Sequence, residues 1–506
     1  MKYGAIATGS NESLDTAKHI FKEGGNAFDA AIGAVFTSMT SEFALTSAGG
    51  GGVLLGINNN SNPILYDFFV NCPNFNNQNA NFKKISVNFG KTKQDFFIGE
   101  GSIAIPGNIA GLLKAHYENG VLPLSTILEP AIHYAKNGVT ISSYQSYINS
   151  LVKPILLLTK DGKNLFTKNN VFLKEGDNFS NKNFSDFLNQ INRYGADFFY
   201  NGDGADLIYN TFKSKSYINI DDLNNYKVIK RRPLSFKFKN YQAYTNPAPS
   251  YGGTLIAFLF NLLNASKKID NLNIVELVKA MEITSIARSK FTTNPQDEFE
   301  ISKILNDEIF DNFLNQFINN DFSQNQNKLS GFGSTTHISV LDVEGNAVSI
   351  TTTNGEGSGH FISEFGIMMN NMLGEEDLNP FGFHKWKSIR RLPSMISPII
   401  INKNNIPKLI LGSGGSNRIR SANIQVIINH LIKGMSLKES IENPRLHLED
   451  NNLFYEPHID LKNYNSLANY NKINFDQKNV FFGGVNAVNT NEAVGDSRRG
   501  CVGEIF

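Results

Sequence analysis

The sequence predicts an α+β or layered α/β fold, and three observations carry that expectation. Strand-like runs lie on both sides of residue 334, a β-hairpin opens at Thr335, and amphipathic helical segments both precede and follow it. At 506 residues the chain can bury a large core, and length alone suggests two or three domains. A hydrophobic content of 41% is ordinary for a globular protein, and a net charge of +1 gives no argument for nucleic acid or an anionic membrane surface.

The elements follow from local pattern. Leu14 to Glu23 reads as a helix, with Ser10, Asn11 or Ser13 as caps and Gly24-Gly25 as its stop. A second helix starts near Ala27, with Phe28, Ala31, Ile32, Val35, Phe36 and Met39 at helical spacing, a core stripe. Residues 73–84 are Asn-rich and read as a surface loop. Residues 105 to about 232 read as mostly helical, and Arg231-Arg232-Pro233 leads into a strand from Leu234 to Tyr244. Two helices fill 253–290. The polar run from Asp307 to Lys328 is the expected mobile segment. No internal repeat is present.

The hairpin can be built residue by residue. Thr, Ile, Val and Leu recur in 336–342 and again in 347–353, which suits two strands. Between them Asp342-Val343-Glu344-Gly345 places Asp first and Gly fourth, as a type I turn or a three-residue hairpin loop prefers. If Val343, Glu344 and Gly345 form the loop, Asp342 pairs with Asn346 and Thr335 faces Thr353. Opposed residues have Cβ atoms about 4.5–5.5 Å apart, so the two hydroxyls can share a hydrogen bond. A loop one residue shorter would turn Thr353 to the other face.

That pair suggests a chemistry. A threonine hydroxyl needs an adjacent base, and an N-terminal threonine carries one in its own α-amino group, whose unperturbed pKa is about 7.7–8.0. The amine exists only once the Ser334–Thr335 bond is broken, so Thr335 Oγ is expected to attack the Ser334 carbonyl and form an ester that water hydrolyses. Thr353 would position the Thr335 hydroxyl. Gly414-Gly415 adds a second part. Lys408 to Leu411 reads as a strand and Ser416 to Leu431 as a helix with Ile424, Ile427, Ile428 and Leu431 on one side. Glycines at such a junction leave backbone N–H groups pointing outward, where they stabilise an oxyanion. Gly355-Glu-Gly-Ser-Gly-His360 lacks the Lys-Ser/Thr of a phosphate-binding loop. No Cys/His spacing suggests a metal, and the mechanism needs no cofactor. Cys72 and Cys501 cannot make a framework of bridges, as expected of a reducing compartment.

Segments along nearly the whole chain resemble the γ-glutamyltranspeptidase family of N-terminal nucleophile hydrolases. They are Glu23-Gly-Gly-Asn-Ala-Phe-Asp-Ala-Ala31 with Ser47-Ala-Gly-Gly-Gly-Gly52, then Gly101-Ser-Ile-Ala-Ile-Pro-Gly107 with Ala110-Gly111. Thr335-Thr-His-Ile-Ser-Val340 resembles the processing site and Gly412-Ser-Gly-Gly-Ser416 the oxyanion loop. Gly483-Gly-Val-Asn-Ala-Val488 and Gly495-Asp-Ser-Arg-Arg-Gly500 resemble the C-terminal signature. The resemblance implies a four-layer αββα sandwich, with a large piece 1–334 and a small piece 335–506 interleaved in one domain. It implies cleavage of γ-glutamyl amides through a Thr335 ester, with glutathione as the usual donor and water or an amine as acceptor. It places Asn354 or Gly355 near the substrate.

Two departures bear on the substrate. Typical members bind the γ-glutamyl α-carboxylate with an N-terminal arginine, but the first arginine here is Arg193, and the corresponding stretch reads Asp67-Phe-Phe-Val-Asn-Cys-Pro73. Lys83, Lys84, Arg390 and Arg391 are the candidate replacements. The residues that hold the α-amino group are also altered, to Asn370-Asn-Met-Leu-Gly-Glu-Glu-Asp377, leaving Glu375, Glu376 or Asp377 to neutralise an ammonium. Of the family's serine pair, Ser394 is kept and Pro393 replaces the other. A cephalosporin (glutaryl) acylase-like amidohydrolase is therefore the runner-up, and an unprocessed binding protein on the same scaffold is the third reading. The chain opens with one basic residue and no apolar h-region, and no run of about eighteen apolar residues occurs, so a cytoplasmic protein is expected unless a leader precedes these residues.

Overall fold

The structure, a computed structural model, describes residues 2–59, 61–75, 77–88, 93–319, 334–387 and 390–506. Its two main sheets are built, in chain order, from β1 (Gly4–Thr8), β2 (Gly51–Ile57), β3 (Ile64–Phe68), β4 (Ile229–Arg231), β5 (Leu234–Phe238), β6 (Tyr241–Thr245), β7 (Thr336–Asp342), β8 (Ala347–Thr353), β9 (Ile399–Lys403), β10 (Ile406–Gly414), β11 (Gly484–Val488), β12 (Ala493–Val494) and β13 (Val502–Ile505). The first sheet runs β4-β3-β2-β8-β7-β1-β13 and the second β5-β6-β9-β10-β11-β12, every neighbour antiparallel. Both sheets take strands from before and after residue 334.

Period-two alternation sorts the apolar residues into layers. Leu54, Ile338, Val340, Val348 and Ile350 face outward onto helices Asn11–Lys22 and Ala27–Ser41, with Phe28, Ile32, Val35 and Phe36 in the same core. Ile399, Ile401, Leu409 and Leu411 face outward from the second sheet onto helices Tyr251–Ala265, Ile274–Lys290 and Arg418–Ile427. The intervening residues, Val53, Leu55 and Leu341 on one sheet and Ile400, Ile410 and Val488 on the other, meet between the sheets. The result is the αββα sandwich. Along β7 and β8 that inner seam turns polar. Ser339 donates to the Asn486 carbonyl (3.0 Å), Asn486 donates to the His337 carbonyl (2.6 Å), and Ser349 donates to the Leu411 carbonyl (2.9 Å).

The first two helices begin as expected. Ser10 accepts from the Ser13 N–H, and Asn26 and Asp29 form a reciprocal capping box. Three expectations need correction. Leu234 to Tyr244 is not one strand but the hairpin β5–β6, turned by Lys239 at φ 48°. Asp307–Asn319 is a helix, because Phe313 and Phe317 lie about one turn apart on one face and bury in the second core; residues 320–328 lie outside the described residues. The helix expected from Ser416 begins at Arg418, since Ser416 sits at φ 50°, and it widens into a π turn over Ile428–Ile432. Among the described residues no helix is long and apolar enough to cross a membrane.

The hairpin turn is held by a buried carboxylate. Asp342 accepts from the N–H groups of Glu344 (3.0 Å) and Asn346 (2.9 Å), from the Asn346 side chain (2.7 Å), and from the N–H of Ala27 (3.0 Å), the first residue of the second helix. Asp342→Ala would strand several buried donors. It should cost about 3 kcal/mol of stability, read as a lower thermal midpoint with the same folded circular dichroism spectrum.

Candidate active site

Register places the central pair. Thr336 pairs with Thr352 and Leu341 with Ala347, so one step outward sets Thr335 opposite Thr353, as the three-residue loop requires. Even-numbered residues of β7 and β8 face the helices. There Thr336 donates to Glu42 (2.7 Å), just past helix Ala27–Ser41, and Thr352 shares a hydrogen bond with Thr46 (2.9 Å). Odd-numbered residues face the second sheet, so Thr335 and Thr353 open into the inter-sheet seam at its end. Both are buried.

The second sheet brings the glycines to the same point. β10 ends at Gly414, where a Cβ would overlap the carbonyl oxygen of Thr335, so only glycine permits this approach. Gly415 follows at φ 127°, and helix Arg418–Ile427 starts after two more residues. Arg499, from the C-terminal signature, donates from Nη1 to the Thr335 carbonyl (3.3 Å).

Within this frame Thr353 does something other than expected. Its hydroxyl donates to the carbonyl of Ser334 at 2.5 Å and accepts from the Gly355 N–H at 3.0 Å. It thus polarises the carbonyl of the Ser334–Thr335 link, in place of the expected hydroxyl–hydroxyl bond. The backbone N–H of Ser334 donates to Glu356 Oε1 at 3.3 Å, while its Oγ is buried without a hydrogen-bond partner.

The loop after β8 is an acidic wall. Glu356 is fully buried, and its backbone N–H donates to Asn371 Oδ1 (2.9 Å). Glu375 is half-buried, with Oε1 against the α-carbon of Gly355. Glu356 Oε2 and Glu375 Oε1 are buried atoms with no hydrogen-bond partner. Burial pushes the Glu356 carboxyl up to about 8, against the bonds from Ser334 and Asn371. Burial, then the charges of Glu356 and Asp377, drives Glu375 well above the usual carboxylate range. On the helix side, burial lifts Glu42 to about 7 against the Thr336 bond. His337 is held down at about 3 by burial and stays neutral between Thr351 (2.8 Å) and Ser339 (2.9 Å).

The remaining expected residues separate. Asn354 lies in the wall, donating to the Met368 carbonyl (3.2 Å) with Oδ1 buried. Asp377 is committed elsewhere: it accepts from Ser416 and Asn417 (3.0 Å), and its carbonyl accepts from Arg288 (3.1 Å). Glu376 is exposed, with Asp377 and then Asp95 and Lys84 of a separate hairpin as its charged neighbours, whereas Glu375 is half-buried. Ser394 lies 3.2 Å from the Ser250 hydroxyl, and its carbonyl accepts from Ser250, Tyr251 and Gly252. Its described hydrogen bonds do not reach Thr335.

The replacement cations do not form a carboxylate clamp. Arg391 is buried and spent on Asp67 (3.2 Å), the Tyr226 hydroxyl (2.6 Å) and the carbonyls of Phe69, Asp67 and Lys227. Lys84 is exposed and paired with Asp95 (2.6 Å), Arg390 bonds the Gln296 carbonyl (2.7 Å), and Lys83 is exposed. Sequence reasoning missed Glu42, Glu356 and Arg499 as site residues. A lone acid inside the glycine run 355–360 was the available signal for Glu356. Arg499 stood in a quoted motif without a role, and nothing local marks Glu42.

These carboxyls set a pH dependence. A carboxyl whose folded pKa lies above its unfolded value makes the native state bind more protons, so its stabilisation is complete below about 4.5 and is lost as pH rises through the folded value. The thermal midpoint should therefore fall from pH 5 towards pH 8, about the value of Glu356. Glu42→Gln should flatten the decline below about 7, and Glu356→Gln should flatten it throughout and remove the part between about 7 and about 8. A midpoint that climbs over this range would contradict the assignment.

The sequence profile described as Gamma-glutamyltranspeptidase matches residues 14–503. The chain is 28% identical over 473 residues to "Glutathione hydrolase 2" of Arabidopsis thaliana, covering 88% of this chain and 80% of that protein. It is 28% identical over 477 residues to "Glutathione hydrolase proenzyme" of Escherichia coli (strain K12), covering 88% and 81%. A solved cephalosporin acylase from Bacillus halodurans shares the fold at a TM-score of 0.84 and 19% identity, over 100% of this chain and 96% of that one. With the profile spanning almost the whole chain, and the fold bringing its threonine and glycine motifs to one point, this protein belongs to the γ-glutamyltranspeptidase family of acyl-transferring enzymes.

Proposed function

We propose that the chain cuts itself between Ser334 and Thr335, into pieces 1–334 and 335–506, and then acts as a γ-glutamyl hydrolase and transferase on small amide substrates such as glutathione. In the first step Thr335 Oγ bonds to the Ser334 carbonyl carbon and the C–N bond breaks. The hydroxyl proton ends on the Thr335 nitrogen, which becomes the free α-amine, and water hydrolyses the ester. In turnover that amine takes the Oγ proton while Oγ attacks the γ-carbonyl. The departing amine receives the proton, and water or a second amine then resolves the acyl ester. Backbone N–H groups at Gly414-Gly415 are the oxyanion donors in this reading; one such donor contributes roughly 2.7–4 kcal/mol in a measured case.

The observation that carries the substrate is the acidic wall. Glu375 Oε1 and Glu356 Oε2 are buried without hydrogen-bond partners, Glu375 against Gly355, two residues after Thr353, and Glu356 bonded through Oε1 to Ser334. A ligand that brings an ammonium here gives these oxygens a donor and favours the ionised carboxylate that burial alone disfavours. A γ-glutamyl group has that ammonium and a glutaryl group does not. With Arg391 locked onto Asp67, selectivity rests on the amine side of the acyl group, not on a guanidinium fork.

Release of p-nitroaniline from the γ-glutamyl and the glutaryl anilides tests the reading. The γ-glutamyl compound should be the better substrate, and Glu375→Gln should raise its KM about ten-fold or more while the glutaryl compound gains. Faster glutaryl turnover by the parent would overturn it in favour of an acylase. Thr335→Ala should abolish both cleavage and turnover, and Thr353→Ala should slow both. A single full-length band from active protein would refute the self-cutting mechanism.

A further inference from the structure

The two polar backbone atoms of Ser334 are both held by one short loop. Its carbonyl accepts from Thr353 at 2.5 Å and its N–H donates to Glu356 Oε1 at 3.3 Å, with Gly355 tying the two holders together through its bond to Thr353. Glu356 is a strange residue to find there. It is completely buried in a run of glycines, forms no ion pair among the described residues, and leaves Oε2 unpartnered. An acid so placed destabilises the fold relative to a neutral residue of similar size. Its carboxyl accepts a bond from the residue whose carbonyl has to be attacked.

We propose that Glu356 is a positioning residue for self-cleavage, and that it fixes the acyl side of the scissile link by accepting the Ser334 N–H. The inference rests on the proposed cut at Ser334–Thr335. A hydroxyl that attacks the carbonyl directly before its own residue closes a five-membered ring, which demands a narrow range of approach. With N–H and C=O both anchored, Ser334 cannot swing its carbonyl carbon away from Thr335 Oγ. The carboxyl neither gains nor loses a proton in the step: the Oγ–C bond forms, the C–N bond breaks, and the hydroxyl proton passes to the Thr335 nitrogen. What the position needs is an acceptor oxygen, not a charge.

The test follows the full-length chain on a denaturing gel, with mass spectrometry of the two pieces. Glu356→Ala should slow cleavage about ten- to hundred-fold, whereas Glu356→Gln, which keeps an acceptor oxygen, should stay within about three-fold of the parent. Thermal midpoints are compared in the uncleavable Thr335→Ala background, where Glu356→Ala should leave the midpoint unchanged or raise it. Parent-like cleavage by Glu356→Ala would overturn the proposal, as would a Gln variant as slow as the Ala variant. A clear drop in midpoint for Glu356→Ala would also overturn it, since the residue would then be structural. A parent that is never cut at this link would refute the proposed function itself, a result distinct from these three.

Discussion

Asp342 sits at the one turn on which the catalytic geometry depends. By accepting the N–H groups of Glu344 and Asn346 it sets a three-residue loop, and by accepting the N–H of Ala27 it ties that loop to the second helix. Strand side chains alternate with a period of two, so a loop one residue shorter or longer would reverse every residue of β8. Thr353 would then face the helices, and Thr352, now bonded to Thr46, would face the seam. The polar bonds from Ser339, Ser349 and His337 across to the second sheet lock the same choice from the other side. Nucleophile, hydroxyl partner and glycine junction meet because this register holds.

The site concentrates carboxyls that the rest of the fold would be more stable without. Glu42 lies behind the nucleophile on the helix side, and Glu356 and Glu375 line the seam side. Burial drives all three towards the neutral form. Elsewhere the protein neutralises its buried charge. Asp496, Arg445, Arg498 and Glu456 form a closed ion cluster, and Arg391 pairs with Asp67. The contrast separates charge placed for structure from charge placed for chemistry.

Much of the architecture was legible along the chain. The helices after Ser10 and Asn26, the hairpin from Thr336 to Thr353 and the strand running to Gly414 all follow from periodicity, capping and turn residues. The misses have local physical causes. Lys239 turns the backbone without a glycine to mark it, and Asp307–Asn319 looks polar because of its helix residues only Phe313 and Phe317 are fully buried, with Ile309, Phe310 and Leu314 packing at the margin of the core. The role of Arg391 was illegible, since its partners Asp67 and Tyr226 lie 324 and 165 residues away.

By itself the sequence determined which threonine has a partner across the hairpin, because turn chemistry and a period of two are local rules. It also determined that a glycine pair sits between a strand and a helix. Only the tertiary structure decided that Gly414 packs on the Thr335 carbonyl, that Thr353 grips Ser334, and that Glu356 and Glu375 face the seam while Glu376 does not. Those outcomes depend on how two sheets stack and on which atoms burial strips of water, and neither is written in the spacing of residues along one strand.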